Sequence, residues 1–230
     1  MKSAVDHSVG RRNKPVDWLQ ALQPLFGKYG GKRHPLASRN TYQLVVTVIL
    51  SARAADIRIN ELAPAFFVTY PSIKALAAAE PEDLHPMLSS VPGFVKKSRW
   101  LVSLARTVGD DGNIPKTLEG LIALPGIGRK SANVIISGSG GPMEGVIVDL
   151  HVLRVAPRLG IARGSDPLEI EQQLMKKLPQ ENWRELGLSL THLGREICRP
   201  TDPLCRECPV SAACGYYRKQ NVRSARLEES

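Results

Sequence analysis

The chain has no apolar run long enough to cross a bilayer, and no basic amphipathic helix stands out, so membrane-spanning and membrane-surface roles are set aside. It shows no apolar leader of a secreted protein and no nuclear or organellar address. The expected setting is therefore a prokaryotic cytoplasm. Internal repeats are missing as well. Cysteine is scarce: four in 230 residues, all packed between positions 198 and 214. Acidic residues are in deficit, with 22 Asp+Glu against 31 Lys+Arg and a net charge of +9. That excess favours a polyanionic partner, because lysines and arginines that neutralise phosphates release bound counterions.

No hairpin pattern of alternating apolar and polar residues survives along the chain, and the expected class is all-α. A hydrophobic content of 43% is enough for one or two proper cores. Trp18, Leu19, Leu22, Leu25 and Phe26 fall on one helical face. Residues 41–53 are rich in β-branched side chains, but a run of that length predicts a buried helix rather than a strand. Asp56 reads as an N-cap, and Pro64 implies a kink or a late start in the helix that follows. Ser72 opens a short helix that stops near Pro81. Trp100, Leu101, Leu104, Ala105 and Val108 stripe another. Asp166-Pro167-Leu168-Glu169 carries cap, first-turn proline and reciprocal Glu, the pattern of a capping box. Trp183, Leu186, Leu190 and Leu193 stripe the helix that leads to Cys198.

Two stretches carry chemistry. In Leu124-Pro125-Gly126-Ile127-Gly128-Arg129-Lys130, a tight Gly-x-Gly turn opens a helix and presents backbone N–H groups to an anion. Lys130, in the first helical turn, sits in a field that favours the neutral amine a nucleophile needs. Asp149 follows 19 residues later and is placed to shuttle protons or to cap a helix. The second stretch is the cysteine comb Cys198, Cys205, Cys208 and Cys214, spaced C-x6-C-x2-C-x5-C. Zinc sites usually present two close pairs far apart, and disulfides suit an oxidising compartment. Four thiolates around one compact object fit a cubane [4Fe–4S] cluster better, with zinc and disulfides as the alternatives.

Together with Ile49-Leu50-Ser51-Ala52 and Val148-Asp149-Leu150-His151, these stretches make residues 16 to 217 resemble the endonuclease III family of the helix-hairpin-helix DNA glycosylase superfamily. The comb spacing is the one that family uses for its cluster. The resemblance implies a two-lobed fold. A helical barrel lobe would span residues 34–144, and an iron–sulfur cluster lobe would combine 15–33 with 145–230, with residues 1–14 as a mobile basic arm. The loop Ser137–Gly141 would lie where the chain crosses between lobes. It further implies a monomeric, bifunctional DNA glycosylase/AP lyase that excises oxidised pyrimidines from duplex DNA in base excision repair. Lys130 would attack C1′ and form a Schiff base, and Asp149 would stabilise charge on the sugar and assist proton transfer. Backbone N–H groups of Gly126, Ile127 and Gly128 would hold a phosphate. Arg129, His151 and Arg154 would contact DNA or orient Asp149, and Arg199 and Arg206 would face phosphates from a loop shaped by the cluster. Four positions depart from the family pattern. Arg53 stands for a Gln that fills the gap left by the flipped nucleotide, and Ala55 for a Thr. Phe94 stands for a wedging Leu, followed by Lys96 and Lys97 as phosphate contacts, and Leu150 for the Thr after the aspartate. Two readings stay beside this one: a lyase acting mainly on abasic sites, and a damage-binding protein that has lost catalysis.

Overall fold

The computed structural model describes residues 16–32 and 34–228, with the backbone alone for 222–228; the expected basic arm at 1–14 lies outside them. Every regular element among the described residues is helical. Besides five short 3-10 turns, the α-helices in chain order are α1 (Trp18–Ala21), α2 (Gln23–Tyr29), α3 (Thr41–Ser51), α4 (Asp56–Thr69), α5 (Ile73–Ala77), α6 (His85–Leu88), α7 (Phe94–Val108), α8 (Leu118–Ile122), α9 (Arg129–Ser139), α10 (Leu150–Leu159), α11 (Pro167–Met175), α12 (Trp183–Glu196) and α13 (Gly215–Glu228).

Two hydrophobic cores form. The first draws on residues 36 to 147 with Leu188, and the second on residues 18 to 29 and 146 to 214. At the centre of the first, α3 is buried on nearly every face, through Leu44, Val45, Val46, Val48, Ile49 and Leu50. Burial all round explains why a β-branched segment is stable as a helix here: packing outweighs a propensity penalty of a few tenths of a kcal/mol per residue. Asn40 caps it, its side chain accepting from the Gln43 amide at 2.9 Å. The second core is organised by α10 against α12, with α2 alongside.

The segment between the cores shows how one strip of chain serves both. Residues 146–149 belong to no helix, and their side chains divide between the two cores. Val146 and Val148 enter the second core, while Ile147 between them enters the first. Asp149 comes next in the chain.

Several expectations are corrected. The N-terminal helix is two short ones, because Pro24 has no N–H for the Gln20 carbonyl, and Leu19 is left 38% exposed. Asp56 lies in the first turn of α4 rather than at its cap, and its carboxylate bonds Arg195 instead. Pro64 sits within α4, which starts at Asp56 and runs on to Thr69. Asp166 caps α11 by accepting from the Glu169 amide at 2.9 Å, but the reciprocal half of the box is not formed. Ser137–Ser139 is the last turn of α9, so the crossing begins only at Gly140, whose φ of +80° ends the helix.

Candidate active site and nucleic-acid interface

The hairpin consists of α8, the turn 123–128 and α9. Leu124 and Ile127 anchor the turn in the first core. Gly126 takes φ +80°, and a Cβ there would stand 2.9 Å from the Trp100 ring, so glycine is required both by the dihedral and by the packing. Gly128 caps α9 with no side-chain bond to the first turn, which leaves that turn's N–H groups to an outside acceptor. Ile127 differs from expectation: its amide already donates to the Leu124 carbonyl at 3.3 Å, so it is not free for an anion.

Lys130 stands exposed in the first turn of α9. Asp149 is half-buried and held from two helices. One oxygen, Oδ1, accepts from the His151 and Val152 amides at 2.9 Å each, and the other, Oδ2, accepts from the Thr191 hydroxyl of α12 at 3.2 Å. Capping and presentation of the carboxylate therefore coexist. Gly194 lets α10 and α12 approach this closely, since a Cβ there would lie 2.7 Å from that of His151.

His34, which no sequence motif singled out, interacts electrostatically with Lys130, Asp56, Arg195 and Asp149. Its Nδ1 accepts from the Leu36 amide at 3.3 Å, which puts the proton of the neutral ring on Nε2. Burial, and then the Lys130 cation, bring its pKa down to about 4. The ion pair between Arg195 of α12 and Asp56 of α4, at 2.6 Å, closes the same cluster across the two cores. His151 is also held below its usual pKa, mainly by burial, against the opposing pull of Asp149. A cleft of about 1400 Å³ is lined by His34 and by residues of both crossings between the cores, but not by Lys130 or Asp149.

Other expected DNA contacts are redistributed. Lys97 is 4% exposed and donates to two backbone carbonyls, so its ammonium does not face outward. Arg129 pairs with the buried carboxylate of Glu171, which also accepts from Asn133. Arg154 bonds the carbonyls of Gly194 at 2.8 Å and Cys198 at 3.0 Å, tying α10 to the end of α12. Phe94 is half-buried, edge-on to His85, while Val95 beside it is 40% exposed, so the apolar side chain presented at the start of α7 is Val95. Exposed cations remain at Arg53, Lys96, Arg199 and Arg206, with Lys96 lying over the Trp100 ring at 4.7 Å.

All four cysteines are free and line one cavity with Arg158, Tyr216 and Tyr217. Arg158 braces it: Nη1 donates to the Arg199 carbonyl at 2.6 Å and reaches the Cys198 sulfur at 3.6 Å. Burial, together with the neighbouring cysteines, raises Cys208 to about 11, so several thiolates there require a bound cationic centre. Among the described residues no three His, Cys, Asp or Glu side chains stand at single-ion distances.

A two-core helical protein with a glycine hairpin presenting Lys130, and a carboxylate at a helix start, defines a class. Residues 46–180 match the model of the HhH-GPD superfamily of base excision DNA repair proteins. The chain is 34% identical over 216 residues to endonuclease III of Synechocystis, covering 93% of this chain and 97% of that protein. It is 35% identical over 191 residues to that of Bacillus subtilis, covering 82% and 87%. Among solved structures, a trapped endonuclease III–DNA covalent intermediate superposes with TM-score 0.80 at 31% identity, covering 88% of this chain and 96% of that one. A non-covalent endonuclease III–DNA complex gives TM-score 0.79 at 32% identity, covering 88% and 95%. The chain belongs to the endonuclease III family within that superfamily.

Proposed function

We propose that this DNA glycosylase/AP lyase of base excision repair works through Lys130 and Asp149 on oxidised pyrimidines in duplex DNA. The carrying observation is that Lys130 opens a helix whose first N–H groups are uncapped, while the Asp149 carboxylate is fixed from two helices and both residues interact with His34. The damaged nucleotide leaves the stack, because a paired base hides C1′. Gly126, Gly128 and the start of α9 hold a phosphate and set the strand's position without reading sequence. The Lys130 amine bonds to C1′ as the base departs with a proton, and opening of the sugar leaves an iminium. That iminium acidifies C2′; loss of the C2′ proton breaks the C3′–O bond, and water then frees the lysine. Asp149 faces the positive charge on the sugar and relays protons.

Arg53 enters the gap vacated by the flipped nucleotide and meets the orphaned base, with Val95 as the apolar side chain presented at the start of α7. Two cores support the division into lobes at 34–144 and at 15–33 with 145–230. The cavity lined by four unpaired cysteine side chains fits a [4Fe–4S] cluster on Cys198, Cys205, Cys208 and Cys214. When bound, such a cluster would crosslink the loop rigidly, and Arg199 and Arg206 on that loop would face phosphates. The protein acts as a monomer on chromosomal DNA in a prokaryotic cytoplasm; no described helix is long and apolar enough to cross a membrane.

The test is borohydride trapping on duplexes bearing thymine glycol, an abasic site or no damage. An adduct with thymine glycol that vanishes in Lys130→Ala is expected. An adduct on the abasic duplex alone would reduce the protein to a lyase, and no adduct on any duplex would overturn the assignment.

A further inference from the structure

Lys97 is a buried cation to which the reaction assigns no task. No carboxylate pairs with it among the described residues. Its Nζ donates instead to the carbonyls of Leu50 at 2.8 Å and Ala52 at 2.6 Å, at the C-terminal end of α3. A cation suits the negative end of a helix dipole, but the second carbonyl lies beyond the helix, in the turn that carries Arg53.

That turn is unusual. Ala52 has φ −56° and ψ 113°, Arg53 has φ +62°, and the Ala54 amide bonds the Ser51 carbonyl at 3.0 Å. These values describe a type II β-turn over Ser51–Ala54, whose third position normally takes glycine because its φ is positive. An arginine there is strained, and the turn can relax by rotating the Ala52–Arg53 peptide into type I, in which Arg53 would adopt φ of about −90°. Rotation would swing the Ala52 carbonyl away and break its bond to Lys97.

We propose that Lys97 is a positioning residue: its buried ammonium locks the Ala52–Arg53 peptide and holds Arg53 in the left-handed conformation that delivers its guanidinium to the orphaned base. The proposal rests on the reading of Arg53 given above. Two further observations agree with it. Arg53 is exposed, and its cation lies near enough to Lys97 to act, after burial, to lower the pKa of that ammonium. A neutral core residue at position 97 would avoid the cost of burying a charge, and the two carbonyl bonds supply the reason for keeping it.

A double-mutant cycle with R53G, K97M and both together tests this, read as single-turnover excision of thymine glycol placed opposite each of the four bases. R53G and K97M should each slow excision about tenfold and flatten its dependence on the opposite base. The double variant should be no slower than either single one. Additive losses, or a K97M that slows excision alike against every opposite base, would overturn the proposal. So would an R53G with unaltered opposite-base dependence. If K97M does not fold, K97Q replaces it in the same cycle, and K97R, which keeps the charge and two donors, must retain the wild-type dependence. Wild-type trapping on an abasic duplex runs alongside: its failure sinks the glycosylase/lyase reading itself, whereas its success with an additive cycle sinks only the role of Lys97.

Discussion

Two tight turns of the first core, the hairpin turn and the turn after α3, solve the same backbone problem in opposite ways. In the hairpin turn a glycine, Gly126, takes the positive φ and is pressed against Trp100; in the turn after α3 an arginine, Arg53, takes it and is exposed. The first offers a partner only backbone, which can hold an anion but cannot select a base. The second accepts strain in order to offer a side chain, and therefore needs an external brace, which Lys97 provides. The two lysines divide in the same way. Lys130 is exposed at a helix start, where the proposed mechanism needs its amine, and Lys97 is buried at a helix end, where its ammonium meets carbonyls.

Breaking the comparison at its reactive end has the largest effect. Lys130→Ala should lower excision by about a thousandfold or more and abolish borohydride trapping, while the melting temperature stays near wild type. On the same footing, Asp149→Asn retains a good cap and should unfold within about 0.5 kcal/mol of wild type while single-turnover excision falls steeply; Asp149→Ala should cost about 1 kcal/mol in urea unfolding besides. The turns themselves separate next. Gly126→Ala meets both the dihedral and the Trp100 ring and should cost about 1–3 kcal/mol in urea unfolding. Arg53→Gly relieves the strain and should lie within about 1 kcal/mol of wild type, whatever it does to excision. Equal destabilisation at the two positions would erase the contrast.

A smaller effect sharpens it through pH. His34 has a folded pKa of about 4 against 6.5 for a free imidazole. Between those values the unfolded chain binds the proton and the native one does not, so His34 lowers stability as pH falls through that window. His34→Gln should flatten the unfolding free energy between about pH 6.5 and 4 relative to wild type. An identical slope in the two proteins would show that His34 is not buried among the cations of the cluster.

Much of this was legible in the primary structure. The all-α class, the buried helix at α3, the stripe of α12 and the hairpin with its lysine all follow from local periodicity, turn chemistry and capping, which involve residues a few positions apart. The departures that matter most for the site are of one kind. Arg129, Arg154 and Lys97 are expected from the sequence to contact DNA, Lys97 at phosphate, yet each is used inside the protein, by Glu171, by the carbonyls of Gly194 and Cys198, and by the turn after α3. Those partners lie about forty or more residues away. Phe94 and Val95 show the same limit: both are apolar at the start of α7, and only packing against His85 decided which is withdrawn.

The sequence by itself determined what a short stretch of backbone can do: where a helix starts, where a glycine must turn the chain, and which lysine stands at a helix N-terminus. The tertiary structure decided which charges remain for DNA and which are spent internally. It also placed Thr191 and His34 around Asp149, and it showed that Arg53 occupies a glycine's conformation. The physical reason is that local preferences act through covalent neighbours, whereas burial and charge pairing depend on which distant groups the folded chain brings together.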